Sequence, residues 1–133
     1  MLAGLILDYA GVLTDPGADA SAGYPLVGAV RLARSRGLRT GLLSNADEVS
    51  PEIDQELFDT VLLSGELGFG KPDPRIYLLA ASRLELAPED CVFVDDLVSN
   101  VRGAAGVGMV GVHHEDVCST LAELTVLFGF PFS

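Results

Sequence analysis

Tryptophan is absent from this chain, and cysteine and methionine occur only twice each. The two cysteines, Cys91 and Cys118, show no CxxC spacing and no adjacent histidine, which argues against a zinc site or a structural disulfide and predicts two reduced thiols. Basic residues are scarce as well: 8 Lys and Arg stand against 19 Asp and Glu, a net charge of −11. Such a field repels a phosphate backbone, so a nucleic-acid partner is excluded, and any phosphorylated ligand must find its cation locally. The acid excess otherwise serves solubility. No apolar run reaches the roughly 18 residues that span a bilayer, and the Met1 end lacks the basic flank and cleavage site of a signal peptide. A cytoplasmic protein with no membrane partner is expected.

What is present is a globular composition. Hydrophobic residues make up 49% of 133 residues, enough to bury a core without staples, and residues 1–133 read as one domain. Short apolar runs alternate with segments of helical period, a βαβα pattern without repeats or low-complexity linkers. Strands are predicted at Gly4 to Asp8, Leu38 to Leu43, Thr60 to Leu63, Cys91 to Val94 and Met109 to Val112. They are nearly all apolar, as a parallel sheet covered on both faces requires. Helices are predicted from Tyr24 to Arg36, from Ser50-Pro51 onward through Ile53, Leu57 and Phe58, from Asp73-Pro74, from Leu97 to Ala105, and from Val117. The phenylalanine-rich tail after Phe128 is expected to pack on the core or on a second copy of the chain, which leaves room for a homo-oligomer. The fold class is α/β, a doubly wound parallel sheet whose ligands sit outside the strand carboxyl ends.

Three of those ends carry polar residues. The first strand ends in Asp8, the second in Ser44-Asn45 and the fourth in Asp95-Asp96, while Gly70-Lys71-Pro72-Asp73-Pro74 places a lysine in a stiff loop before a helix. A strand-end Asp also reads as a cap, Ser-Asn as a turn, and Gly-Lys-Pro as a surface loop. Together they form a phosphoryl-transfer kit: a carboxylate to attack phosphorus, carboxylates for a cation, and a hydroxyl, an amide and a lysine for phosphate oxygens. The adjacent acids Asp95 and Asp96 follow four apolar residues and cost free energy unless a cation compensates.

These residues resemble the haloacid dehalogenase-like (HAD) hydrolases, a superfamily made up largely of Mg²⁺-dependent phosphatases, over nearly the whole chain. The first family motif, Asp-x-Asp-Gly-x-x-x-Asp after an apolar strand, is matched by Asp8, Gly11 and Asp15 but not by Ala10. Leu42-Leu43-Ser44-Asn45 matches the second, Gly70 to Pro74 the third, and Val92-Phe93-Val94-Asp95-Asp96 with Asn100 the fourth. The resemblance implies a Rossmann-like core of five parallel strands in the order 3-2-1-4-5. It further implies that Asp8 is the nucleophile forming an aspartyl-phosphate. Mg²⁺ would be held by Asp8, the main-chain carbonyl of Ala10 and Asp96, with Asp95 acting through water. Ser44 and the backbone of Asn45 would bind a phosphate oxygen, Lys71 would offset the negative charge, and Asn100 would steady the fourth loop.

Two departures qualify that transfer. Ala10 replaces the acid that protonates the leaving oxygen and later activates water, a role worth about 10²–10⁴-fold. Because the metal contact there is a carbonyl, Mg²⁺ binding need not be lost, and substrates with good leaving groups suffer least. Second, Pro16 to Gly23 and Glu66 to Gly70 are too short to hold a cap domain. An open site suits a phosphorylated substrate, a macromolecular one included, or a docking partner. The leading expectation is a weakened Mg²⁺-dependent phosphatase-like hydrolase. A catalytically deficient relative serving as a phosphate-sensing or protein-interaction module is the alternative. A receiver domain would place its acidic pair after the first strand, the reverse of the order here, and a true dehalogenase would need a cap. His113 and His114 are expected to be a strand-end pair facing solvent, with replacement of the missing base as a weaker reading.

Overall fold

The computed structural model describes residues 1–19, 21 and 23–132. In β1 (Gly4–Asp8) every residue is buried, and the two-residue repeat of a strand divides its side chains between two cores. Leu5 and Leu7 join one core, Ile6 the other. Strand β4 (Cys91–Asp95) divides the same way, Val92 and Val94 against Cys91 and Phe93. A strand apolar on both faces must be covered on both, and helices do this on either side of the sheet.

The sheet runs β3-β2-β1-β4-β5, all parallel, with β2 at Arg39–Ser44, β3 at Thr60–Leu63 and β5 at Val110–His113. One face is covered by α1 (Pro25–Ser35), through Leu26, Ala29, Val30 and Ala33, and by α5 (Val117–Phe128), through Leu124. The other is covered by α3 (Pro74–Arg83), through Ile76, Tyr77 and Ala80, and by α4 (Val98–Gly106), through Ala104. Proline opens α1 and α3 where its missing N–H costs nothing, and the carboxylates of Asp73 and Asp116 accept from Arg75 N and Ser119 N to cap α3 and α5. In the tail, the rings of Phe130 and Phe132 stack at 4.9 Å, and Phe132 is buried in the α1/α5 core.

The predicted strand order and all five strands are present, β2 and β5 each displaced by one residue toward the carboxyl end. The helix predicted from Ser50-Pro51 is not. Residues 50–58 form turns ending in a single 3-10 turn at Gln55–Leu57, closed by the Asp54 carboxylate accepting from Glu56 N. Val49, Ile53 and Phe58 are nevertheless buried, so the apolar positions there seat an irregular loop on the core. A short helix not predicted, α2 (Ser64–Leu67), follows β3 directly. No cap domain is inserted at either place where a chain of this fold could carry one, among the described residues.

Candidate active site

At the carboxyl end of the sheet the strand pleat brings three charges together. Asp8 shares a face with Ile6, and Asp95 shares it with Phe93, so both carboxylates rise above the α3/α4 core on neighbouring strands. The lysine of the 70–74 loop enters between them. Lys71 Nζ donates to Asp8 Oδ1 at 2.6 Å, to Asp95 Oδ2 at 2.8 Å and to the Leu43 carbonyl at 3.1 Å. Its side chain is 1% exposed, so all three donors are spent inside the protein. Burial, aided by the Asp95 carboxylate, pushes the Asp8 carboxyl up to about 6 against the pull of Lys71.

Asn45 positions this lysine. Its side-chain amide donates to the Lys71 carbonyl and accepts from Lys71 N, both at 2.9 Å, so one planar group satisfies both polar atoms of the residue's backbone. A Cβ on Gly70 would lie 2.5 Å from Asn45 Oδ1 and 2.7 Å from Ser64 Cβ, which is why glycine stands beside the lysine. Asp95, fully buried, accepts from Leu97 N (2.9 Å), Asn100 Nδ2 (3.1 Å) and Lys71. The Asn100 carbonyl in turn accepts from the buried Tyr77 hydroxyl at 2.7 Å, which ties α4 to α3.

The loop after β1 is one irregular helical turn, Tyr9–Leu13, interrupted at Ala10 (φ −69, ψ 128) and Gly11 (φ 80). Gly11 is required twice. Its φ lies in the left-handed region, and a Cβ there would sit 2.5 Å from Asp96 Oδ2, so glycine lets that carboxylate close onto the loop. Asp8, Asp95 and Asp96 each offer an oxygen, all within 4.8 Å of one another. An oxygen-only donor set packed this closely fits a hard divalent cation. Asp8, Ala10, Ser44, Asn45, Lys71, Asp96 and Asn100 all line one cleft of about 260 Å³, joined by Ala46 and Leu97.

The two histidines do not form a solvent-facing pair. His114 is buried: its Nε2 donates to Asp15 Oδ2 at 2.7 Å and its Nδ1 lies 2.7 Å from the Thr120 hydroxyl. His113 Nε2 donates to the Asp96 carbonyl at 3.0 Å. Asp15, whose other oxygen accepts from Gly17 N, is held below its ordinary value by that bond and by His114. These contacts correct the expectation from sequence, because parallel pairing of β5 with β4 sets His113 opposite Asp95 and brings the edge strand within reach of both loops. Thr14, whose hydroxyl accepts from Gly11 N at 3.1 Å, belongs to the same loop and left no signal beyond its place in the motif.

Comparison with known proteins decides the family. The sequence profile of the haloacid dehalogenase-like hydrolases matches residues 18–108. The chain belongs to this family. A HAD hydrolase core therefore carries the site, although the matched span leaves out Asp8, Ala10 and the histidines. The phosphoserine phosphatase of Thermus thermophilus is 41% identical over 92 residues, 60% of this chain and 36% of that protein. An uncharacterized protein from Corynebacterium glutamicum has a crystal structure that superimposes with a TM-score of 0.86 at 38% identity, covering 98% of this chain and 97% of the other. A HAD family enzyme from Bacteroides thetaiotaomicron, crystallised with magnesium and inorganic phosphate, shares the fold at a TM-score of 0.69 and 16% identity, over 90% of this chain and 99% of that one. The chain spans less than half the length of curated relatives it matches, from 10% of one to 44% of another.

Proposed function

We propose that residues 1–133 form one HAD core that hydrolyses phosphoric monoesters with Mg²⁺ through an aspartyl-phosphate on Asp8, slowed by the alanine at position 10. The observation that carries the reading is the Asp8 carboxylate, held at 2.6 Å by a buried lysine on the floor of a cleft that Ser44 and Asp96 also line. The open site admits a phosphorylated substrate of any size, phosphoproteins included.

In the first half-reaction an Asp8 oxygen forms a bond to phosphorus as the bond from phosphorus to the leaving oxygen breaks. The Ser44 hydroxyl and the backbone beside Asn45 hold a phosphate oxygen, and Lys71 keeps Asp8 oriented while balancing the extra negative charge. The leaving oxygen departs as an anion and takes its proton from water, because Ala10 has none to give. In the second half-reaction water attacks phosphorus, loses its proton to solvent, and releases inorganic phosphate and the Asp8 carboxylate. Asp8, Asp96 and the carbonyl of Ala10 would hold Mg²⁺, which when bound neutralises charge on the transferred phosphoryl group. Asp95, committed to Lys71, Leu97 N and Asn100, supports that set from beneath.

Ala10 favours a second reading, a phosphate-binding module that does not turn over. Wild type, Asp8→Asn and Ala10→Asp assayed on p-nitrophenyl phosphate with and without Mg²⁺ separate the two. The hydrolase reading expects Mg²⁺-dependent turnover in wild type, its loss in Asp8→Asn, and a gain in Ala10→Asp no larger than the low end of the range of a single general acid, about 10²-fold, because p-nitrophenolate leaves with little need of a proton. Turnover in Ala10→Asp alone assigns the natural chain to the binding module. Inactivity of all three folded proteins refutes the mechanism.

A further inference from the structure

The floor and the rim of the cleft differ in chemistry. Asp8, Ser44 and Lys71 are buried on its floor, where a phosphoryl group belongs. Whatever is attached to that phosphoryl group must leave past the more exposed lining residues, among them Ala10, Ala46 and Leu97. Leu97 is 57% exposed and the next residue, Val98, 43%, which puts two large apolar side chains in solvent at the start of α4. Among the described residues that line the cleft the one cation is Lys71, and its three donors are already used by Asp8, Asp95 and Leu43. No cationic side chain therefore remains among them to anchor a carboxylate on the leaving group, and the chain's net charge of −11 repels one.

We infer that the site selects aryl phosphate monoesters, with Leu97 as the residue that contacts the ring. The inference rests on the hydrolase reading and adds the substrate class. Two independent features converge on it. Leu97 and the two alanines offer apolar surface to a flat, uncharged group. The lack of a proton donor at residue 10 favours a leaving oxygen stable as an anion, which a phenolate is and an alkoxide is not. The bond broken is between phosphorus and the phenolic oxygen; the phenolate leaves with the electron pair and is protonated by water. A free phenyl ester and a phosphotyrosyl side chain present the same ring.

The test has a binding arm and a turnover arm. Benzylphosphonate, which cannot be hydrolysed at the P–C bond, is compared with methylphosphonate by calorimetric titration in the presence of Mg²⁺, on wild type and Leu97→Ser. Wild type is expected to bind benzylphosphonate about tenfold tighter, and Leu97→Ser to remove most of that preference, in line with the discrimination apolar pockets achieve for small changes in contact. Equal affinities in wild type, no binding of either phosphonate, or a preference untouched in Leu97→Ser each overturn the inference. In the turnover arm, phenyl phosphate and a phosphotyrosyl peptide should exceed phosphoserine in kcat/KM, and the two aryl substrates ranked against each other show which source fits. Asp8-dependent turnover of acetyl phosphate without that aryl advantage refutes the substrate class and leaves the hydrolase reading standing. If no phosphate ester or acyl phosphate is turned over, the hydrolase reading fails, and the binding arm judges the rim by itself.

Discussion

Replacing Lys71 by methionine keeps the length and most of the volume of a side chain that is 1% exposed, so packing changes little and the charge alone is lost. What remains is the Asp95 carboxylate at zero exposure facing Asp8, their oxygens within 4.8 Å once Asp96 is included, with no cation between them. Removing one partner of a buried ion pair costs about 3–5 kcal/mol, because the other charge stays buried and uncompensated. The Leu43 carbonyl also loses its donor, a further 1 kcal/mol or so. For a chain of this size each kcal/mol lowers Tm by roughly 3–5 °C, so a loss of about 4–6 kcal/mol should make Lys71→Met melt about 12–30 °C below wild type at pH 8 in the presence of a chelator. The penalty should shrink on acidification. The Asp8 carboxyl already stands at about 6 in the folded protein, above its ordinary value, so the folded state binds its proton first, and loss of Lys71 raises it further. Stability contributed by that protonation is present at low pH and is lost as pH rises through the folded value, so Lys71→Met gains on wild type between pH 8 and pH 5. Urea and thermal melts of both proteins at the two pH values measure this. A variant within about 1 kcal/mol of wild type at pH 8, or an equal deficit at both, would refute the view of Lys71 as a buried counter-ion.

Two further outcomes follow from the same geometry. Mg²⁺ and the Asp8 proton compete for one carboxylate, so stabilisation by millimolar Mg²⁺ should be full above pH 7 and fade below about pH 6, the value to which burial raises Asp8; a Mg²⁺-induced rise in Tm unchanged at pH 5 excludes Asp8 as a ligand. Gly11→Ala places a methyl 2.5 Å from Asp96 Oδ2, too close for both to keep their positions, in a backbone region L-residues disfavour by about 1–2 kcal/mol. It should lower Mg²⁺ affinity at least tenfold while costing only about 1–2 kcal/mol of stability in chelator, and calorimetric titration finding wild-type affinity would show that Asp96 does not need that approach.

Much of this arrangement is legible in the chain because it is local. Asp8, Ser44, Asp95 and Asp96 each follow an apolar run, and a parallel sheet delivers the ends of such runs to one edge. Lys71 is legible too, since its loop is stiff and stands before a capped helix. The segment from Ser50 to Phe58 misled for the opposite reason. Its apolar spacing suits a helix, but the Asp54 carboxylate accepts from Glu56 N and starts a separate 3-10 turn in mid-segment, and tertiary burial of Ile53 and Phe58 does not require regular structure. His114 was hidden by distance, because Asp15 stands 99 residues earlier and nothing beside either residue announces the other. The role of the Asn45 side chain in holding the Lys71 backbone has the same character.

The two histidines at the end of the outermost strand, His113 its last residue and His114 the next, alter how that strand should be regarded. An edge strand is usually the dispensable margin of a sheet, the place where families vary and insertions are accepted. Here His114 grips the far end of the loop that begins at Asp8, and His113 grips the backbone at Asp96, so the margin works as a hem stitched to both sides of the cleft. Its contribution is invisible to any inventory of reacting groups, since neither ring lines the cleft. A comparison that scores only the acids, the serine and the lysine would rate two chains as equal even if one of them had lost the seam that keeps those groups in register.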